Sequence, residues 1–381
     1  MKLIFKILCE PIMKKICHVT SVHYRYDTRI FLKMCKSLSK RYNTFLIVAD
    51  GLGDELKDDV NFLDIGKFSS RKDRILKSPR KIYSKALEVE ADLYHIHDPE
   101  LMHVALKLQK KGKKVIYDSH EDFPAQLQSK DYLNPFFSLS LSIFFKYYER
   151  FIFPRLSYVV AATPKIKSNI VKFCDNVIDI NNYPILGELA TEHKTWSDIK
   201  NEIAYIGTIS KERGIIELIK ALEYTKYKVR LNLVGEFEEI DTYNKVKNMK
   251  GWKNVNEFGK RNRLEVREIL DKSLLGLVTF LPSPNHTEAQ PNKMFEYMSA
   301  GIPVISSNFP LWKDIIEGNN CGLCVNPENS EDIARAIDQL VIDSNLAKMM
   351  GEQGVKAINS KYNWSIEEIK LYKLYEVLLG N

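Results

Sequence analysis

Two carboxylates eight residues apart, Glu288 and Glu296, flank a stretch that changes character at Pro291. A proline suits the first turn of a helix, because its φ is fixed and it has no N–H to leave unpaired. Asn292 to Ala300 reads as that helix, and Gly301-Ile302-Pro303 stops it before the apolar strand Val304-Ile305. Glu288 then lies on the entering loop, with Glu296 about one turn inside. The free N–H groups of a helix start favour an anion such as a diphosphate. Carboxylates that accept hydroxyl hydrogen bonds, next to a phosphate-seeking helix end, make a nucleotide-sugar site. The plainer reading of the same residues is a surface loop with two solvated glutamates.

Other groups carry compatible chemistry. The run Ile203–Ile206 leads into Gly207-Thr208-Ile209-Ser210-Lys211-Glu212-Arg213-Gly214 and then a helix. Glycines allow close backbone approach to phosphate, and cations stand in reach. Histidines gather earlier in the chain. His120 follows the strand Lys114–Tyr117, and His95 and His97 share one face of the strand before it, by the two-residue period. That pair allows a metal reading, whereas Asp98 and Glu100 fit better as caps of a helix opening at Pro99. No Asp-x-Asp occurs in the chain, although enzymes that hold a diphosphate through a divalent ion commonly use one. Fixed protein charges are therefore expected to neutralise the diphosphate, with no metal cofactor.

The Glu288-x7-Glu296 pattern, followed by Ala300-Gly301-Ile302-Pro303-Val304, resembles the signature of GT-B glycosyltransferases, particularly the retaining family 4. The resemblance extends over residues 14 to 379 and is tighter in the second half. It implies two Rossmann-like, doubly wound parallel-sheet α/β domains facing a central cleft, with a final helix crossing back to the first. By resemblance, Glu296 holds the ribose hydroxyls and Glu288 a hydroxyl of the donor sugar, while the N–H groups of Asn292 and Lys293 face the distal phosphate. Gly207, Lys211 and Arg213 belong to the phosphate loop, Glu236 lines the same space, and Lys260 and Arg261 lie near the nucleobase. The family's loop usually reads Gly-Arg-x-x-x-x-Lys-Gly. Arg213 stands for the lysine and Thr208 for the arginine, so Lys211 or Lys293 is left to supply the missing contact. His120 matches the family histidine that touches the donor sugar, and is taken with Glu288 as catalytic.

The loop after the first strand lacks the usual double glycine, but Asp27 and Arg29 match a subgroup with Asp-x-Arg there. With His97 and Asp98 they are the acceptor-side candidates. The implied reaction moves a hexose from a UDP- or GDP-sugar to a glycan or lipid-linked acceptor, in cell-surface polysaccharide synthesis. Two rivals stand beside it: another GT-B activity such as nucleotide-sugar epimerisation, and a non-catalytic glycan- or nucleotide-binding protein.

These residues need a scaffold, and the alternation of short apolar strands with amphipathic helices supplies one. The rhythm runs to about residue 184, lapses over the polar stretch 185–201, and resumes from 202. The expected parts are a domain 13–184, a linker 185–201, a domain 202–363 and a returning helix 364–381. Residues 1–12 read as an appendage before a fresh first strand, and not as a secretory signal. No apolar run reaches the roughly 18–20 residues that cross a bilayer.

Of the net charge of +7, residues 1–190 carry 31 basic against 22 acidic residues, and the rest 25 against 27. The densest basic run is Lys67 to Lys85. No nucleic-acid motif accompanies it, so the readings are a solvated helix face or a face toward anionic lipid. The aromatic stretch Pro135–Glu149 is read either as an interfacial helix on a membrane or as a core helix over 136–153. Six cysteines without a disulfide framework suit a reducing cytoplasm, and Cys321 and Cys324 read as buried small hydrophobes. The expected location is cytoplasmic, peripheral on the inner face of the cell membrane.

Overall fold

In the computed structural model, which describes residues 13–128, 134–189, 196, 199, 201–283 and 286–380, the short apolar runs pair as strands of two separate sheets. The chain divides into two compact units. Unit 1 comprises Met1–Asn181 and Glu367–Asn381, and unit 2 comprises Asn182–Ile366. The expectation for residues 1–12 lies outside the described residues.

Unit 1 has strands β1 (Lys15–Val19), β2 (Asn43–Val48), β3 (Glu55–Lys57), β4 (Val60–Asp64), β5 (Leu93–Ile96), β6 (Lys114–Ser119), β7 (Tyr158–Ala161) and β8 (Val177–Asp179). Their order is β3-β4-β2-β1-β5-β6-β7-β8, parallel except for the hairpin β3–β4. Unit 2 has β9 (Glu202–Ile206), β10 (Arg230–Val234), β11 (Val255–Gly259), β12 (Leu275–Val278), β13 (Val304–Ser307) and β14 (Gly322–Val325). These run parallel in the order β11-β10-β9-β12-β13-β14. Each order reverses once, at β1/β5 and at β9/β12, and open parallel sheets bind ligands beyond the strand ends at such a reversal.

Helices fill the crossovers. In unit 1 a π-helical turn Thr28–Cys35 continues into α1 (Lys36–Ser39), followed by α2 (Arg71–Val89), α3 (Met102–Lys110), α4 (Phe123–Gln128), α5 (Pro135–Ile152) and α6 (Pro164–Ile170). In unit 2 they are α7 (Ile215–Tyr224), α8 (Ile240–Lys247), α9 (Arg263–Lys272), α10 (Asn292–Ser299), α11 (Pro310–Ile316), α12 (Ser330–Ile342) and α13 (Ser344–Ser360). The last helix, α14 (Trp364–Leu379), belongs to unit 1 from Glu367 onward. There Tyr375 is fully buried against His18 and His95, and Arg41 pairs with Glu376 at 2.6 Å.

Three expectations change. The stretch expected as a linker is packed in part among its described residues, since Leu189 sits in one core cluster of unit 2 and Trp196 and Ile199 pack against another. The hairpin β3–β4 was not anticipated; Asp58 and Asp59 make its turn with positive φ. The aromatic helix α5 is not a core helix, because Phe136, Phe137, Phe144, Tyr147 and Phe151 are all exposed. Cys321 is buried as expected, while Cys324 is half-buried and its thiol lies 3.3 Å from the Ser306 hydroxyl. No helix among the described residues is long and apolar enough to cross a membrane.

Helix α10, which carries Glu296, is seated by one close approach. Gly276 on β12 lies directly beneath the Tyr297 ring, where a Cβ would overlap it. The Tyr297 hydroxyl accepts from the Ile206 N–H at 2.9 Å, which fixes the end of β9. Gly276→Ala is expected to destabilise the protein by about 1–3 kcal/mol through overpacking. Chemical denaturation checks it, and a Tyr297→Leu background, lacking the ring, should remove most of the effect.

Candidate active site

Three neighbouring strands of unit 2 each end in a glycine with positive φ: Gly207 after β9, Gly235 after β10 and Gly259 closing β11, at 103°, 144° and 65°. A side chain at Gly235 would run into the Gly207 carbonyl, and one at Gly214 into the Thr279 carbonyl. The loop after β9 can approach the loops after β10 and β12 only because Gly235 and Gly214 lack a Cβ. The sequence therefore keeps open the ground beyond the β9/β12 reversal.

Two cations converge there on Phe280, the second residue after β12. Arg213 lies 5.4 Å and Lys293 5.2 Å from its ring centre. Lys293 also lies 3.8 Å from the ring centre of Tyr205, on β9. Its residue is buried, and its ammonium has no hydrogen-bond partner. Burial, and then the charge of Arg213, push that ammonium well below the ordinary lysine range. The aliphatic end of Lys293 passes 3.5 Å from the position a Cβ on Gly207 would take. The Thr279 hydroxyl, 3.5 Å from the position a Cβ on Gly214 would take, is another buried group without a partner. Lys211, the other residue expected to replace the missing arginine, is exposed on its turn.

Helix α10 begins at Asn292, with Pro291 at the capping position and not inside the first turn. Proline offers no side chain to cap, so the helix start presents bare N–H groups. Glu296, one turn in, accepts from the Arg263 guanidinium at 2.8 Å, and Arg263 in turn grips Glu188 with two bonds of 2.8 Å. Glu288 is exposed on the preceding turn, which Trp312 anchors by donating to the Ala289 carbonyl at 2.7 Å. Glu236 is exposed, and its carbonyl accepts from Ile209 N–H at 3.0 Å, tying its loop to the one after β9. Lys260 is exposed beyond β11, where Arg261 reaches Glu265 at 3.7 Å. The structure thus brings together Gly207, Arg213, Lys293 and the start of α10. Tyr205, Phe280 and Arg263 were not anticipated, because nothing in a lone aromatic or arginine marks which cation or carboxylate it will meet.

In unit 1 the chemistry centres on Asp118, fully buried at the end of β6. Its Oδ1 accepts from Arg29 Nη2 at 2.7 Å and its Oδ2 from Arg29 Nε at 2.9 Å. His120 Nε2 and His97 Nδ1 approach Oδ2 at 2.8 and 3.1 Å. Burial alone would raise the carboxyl, but Arg29, and then His120 and His97, hold it well below the usual carboxylate range. The contacts continue inward from His97 to His18 at 2.9 Å, and from His18 and His95 to the Tyr375 hydroxyl at 3.1 and 2.9 Å. Burial pushes His18, His95 and His97 down, which favours neutral rings.

Among the described residues, two clusters bring potential metal-ligand atoms within 4.8 Å, His18 with His95 and His97, and His97 with Asp118 and His120. In the second, Arg29 already engages both oxygens of Asp118, so a cation would have to displace a guanidinium.

The acceptor-side expectations need correction. Arg29, His97 and Asp98 are buried and bonded to their neighbours, and so have no free surface for an acceptor. Asp98 does not cap the helical turn at Pro99; it accepts from the Thr20 hydroxyl, the Ser21 N–H and the Ser21 hydroxyl, and so closes the β1/β5 reversal. Asp27 caps the helix at Thr28, accepting from the Arg29 and Ile30 N–H groups at 2.8 Å. His120 keeps partial exposure, its side chain at 20%.

Comparison with known proteins accords with this arrangement. Residues 13–179 match the family Glycosyltransferase Family 4, and residues 190–357 match Glycosyl transferases group 1. An uncharacterized glycosyltransferase of Methanocaldococcus jannaschii is 24% identical over 72% of this chain and 71% of its own. The capsular polysaccharide biosynthesis glycosyltransferase CapM of Staphylococcus aureus is 25% identical over 46% of each chain, so the match spans about half of that relative. Among solved structures, sucrose-phosphate synthase of Thermosynechococcus elongatus superposes with a TM-score of 0.78 at 13% identity, over 97% of this chain and 100% of that one. Anabaena HepE in complex with UDP gives 0.72 at 13% identity, over 96% and 100%. With both halves matched and the GT-B fold shared, the chain belongs to the GT-B glycosyltransferases of the family 4 type.

Proposed function

We propose that the enzyme transfers a sugar from a UDP- or GDP-sugar to a glycan or lipid-linked acceptor, with retention at the anomeric carbon and without a metal ion. In that reaction the bond from the anomeric carbon to the diphosphate oxygen breaks. A bond to the acceptor oxygen forms on the same face, and the hydroxyl proton passes to the departing diphosphate. The observation that carries this reading is the Lys293 ammonium, buried without a partner next to Gly207 and an uncapped helix start. A buried cation with nothing to pair it is costly, and a diphosphate removes that cost. Arg213 adds a second charge, and Glu296 and Glu288 are the hydroxyl acceptors for ribose and sugar. The role at the reaction centre proposed for His120 draws on its bond to Asp118, which orients its ring.

Cell-surface polysaccharide synthesis is the proposed setting, on the cytoplasmic side of the membrane. The capsular relative and a lipopolysaccharide core biosynthesis glycosyltransferase of Rhizobium meliloti, 26% identical over 55% of this chain, support it by their names. HepE, solved with UDP and with UDP-glucose, supports a nucleotide-sugar donor. Hydrolysis and transfer measured across a panel of UDP- and GDP-sugars test the proposal. Turnover of one donor is the expected result, and isomerisation of a free sugar nucleotide without acceptor would replace transfer by epimerisation.

Glu296→Ala should weaken nucleotide binding itself roughly ten- to hundredfold, since hydrogen bonds to a charged group are worth about 1.5–3 kcal/mol. Glu288→Ala should spare the affinity for free nucleotide and lower turnover. Calorimetry with UDP and GDP, alongside steady-state rates, separates the two roles.

Lys293 gives a pH prediction. Its depressed pKa in the free enzyme rises when a diphosphate pairs with it, so nucleotide binding takes up a proton. Affinity is then full at low pH and falls as pH rises through the depressed value, which lies below the ordinary lysine value of about 10.4. Calorimetry in buffers of different ionisation enthalpy reads the uptake, and Lys293→Met should abolish it.

Activity should persist in excess EDTA. A full loss of turnover that magnesium restores would show that a metal holds the diphosphate.

A further inference from the structure

Helix α5 is inverted for a helix on the outside of a soluble sheet. Phe136, Phe144, Tyr147 and Phe151 share one face by helical spacing, with Leu139 and Ile143 beside them, and all are exposed. Exposure reaches 84% at Phe136 and 65% at Tyr147. The opposite face, toward the protein, carries serines. Ser138 donates to the Leu127 carbonyl at 2.6 Å and Ser142 to the Pro124 carbonyl at 2.7 Å, which clamps α5 onto α4. Inward apolar packing is left to Phe145, Tyr148 and Ile152. Scattered exposed hydrophobics are ordinary, whereas a contiguous aromatic stripe marks a surface that something covers.

The charges around the stripe indicate what covers it. Lys146 and Arg150, one turn apart, lie along its edge, and the Arg155 guanidinium sits 4.0 Å over the Phe151 ring. The one carboxylate of α5, Glu149, is half-buried, and burial raises it to about 8. The neighbouring α3 exposes Lys107 and Lys110, and α2, packed on α3, has seven basic residues against two acidic. An aromatic helix with basic borders and no exposed carboxylate suits the interface of an anionic bilayer. Such a helix lies in the membrane plane, since no described helix can cross it.

We propose that α5 docks the enzyme on anionic lipid, its Phe136–Phe144–Tyr147–Phe151 face entering the acyl boundary while Lys146 and Arg150 meet the headgroups. This rests on the peripheral location proposed above and not on the transfer reaction. The test is co-sedimentation of the full chain with vesicles of phosphatidylcholine alone or with phosphatidylglycerol, at low and high salt. The wild type should bind the anionic vesicles at least tenfold more tightly than the neutral ones, and less as salt rises. Phe136→Ser/Phe144→Ser/Tyr147→Ser should lose at least tenfold in vesicle affinity while keeping its circular dichroism and donor hydrolysis. Lys146→Glu/Arg150→Glu should lose the anionic preference. Absence of binding by the wild type to anionic vesicles, or unchanged binding by the triple variant, overturns the proposal. So does a wild-type dimer that ignores vesicles and that the triple variant renders monomeric, because the face then covers a second copy. Failure of the wild type to hydrolyse any donor would count against the transfer reaction and leave the vesicle result standing.

Discussion

The ammonium of Lys293 is the constraint around which unit 2 is arranged. An isolated charge away from water costs several kcal/mol even after relaxation. The rings of Tyr205 and Phe280 return part of that cost, since cation–π contacts are worth about 2 kcal/mol or more when desolvated. The remainder is a standing preference for an anion. Everything near it keeps the space for one: Gly207 has no side chain to fill it, Pro291 leaves the helix start uncapped, and Arg213 adds charge of the same sign.

Unit 1 treats its buried charge in the opposite way. Asp118 is as deeply buried as Lys293, but Arg29 meets it with two hydrogen bonds and two imidazoles take up the rest. A satisfied network of this kind rigidifies its members. It runs from partly exposed His120, through buried His97 and His18, to Tyr375 on α14. The final helix of the chain is thereby built into the support of a histidine at the end of β6. Replacing a member of this network would act on His120 through its orientation, even where the replaced residue touches no substrate.

Much of the scaffold was legible from the sequence because strand runs such as Leu93–Ile96 and Glu202–Ile206 are short, apolar and bounded by polar turns. Glu296, Arg213 and Gly207 were legible for another reason, since their spacing matches a family pattern. The misses share one cause, namely partners distant in the chain. Asp98 looks like a cap for Pro99, the nearest helical start, yet it bonds to Thr20 and Ser21, 78 and 77 residues away. The stretch after Ile185 looks like a linker because its few apolar residues follow no rhythm, and only the fold shows Leu189 inside a core. Aromatic content alone left α5 ambiguous. Position decided it, because Phe136, Phe144, Tyr147 and Phe151 fall on the exposed face while Ser138 and Ser142 are buried.

The two sheets also show why one architecture can serve different purposes. Each reverses its strand order once, and each gathers its polar groups beyond the strands that flank the reversal. At β1/β5 the gap is closed by a carboxylate, with Asp98 bonded to the loop opposite, and the nearby charges are paired. At β9/β12 the loops meet at Gly214 with no side chain between them, Gly207 leaves the ground beside them unfilled, and the Lys293 charge there is positive and unpaired. A site that is closed and neutral favours holding a side chain in one orientation. One that is open and cationic favours an anionic ligand whose diphosphate completes the arrangement. Unit 2 is accordingly the half to which the proposed donor is assigned, and the distinction follows from where glycine and lysine occur at otherwise equivalent strand ends.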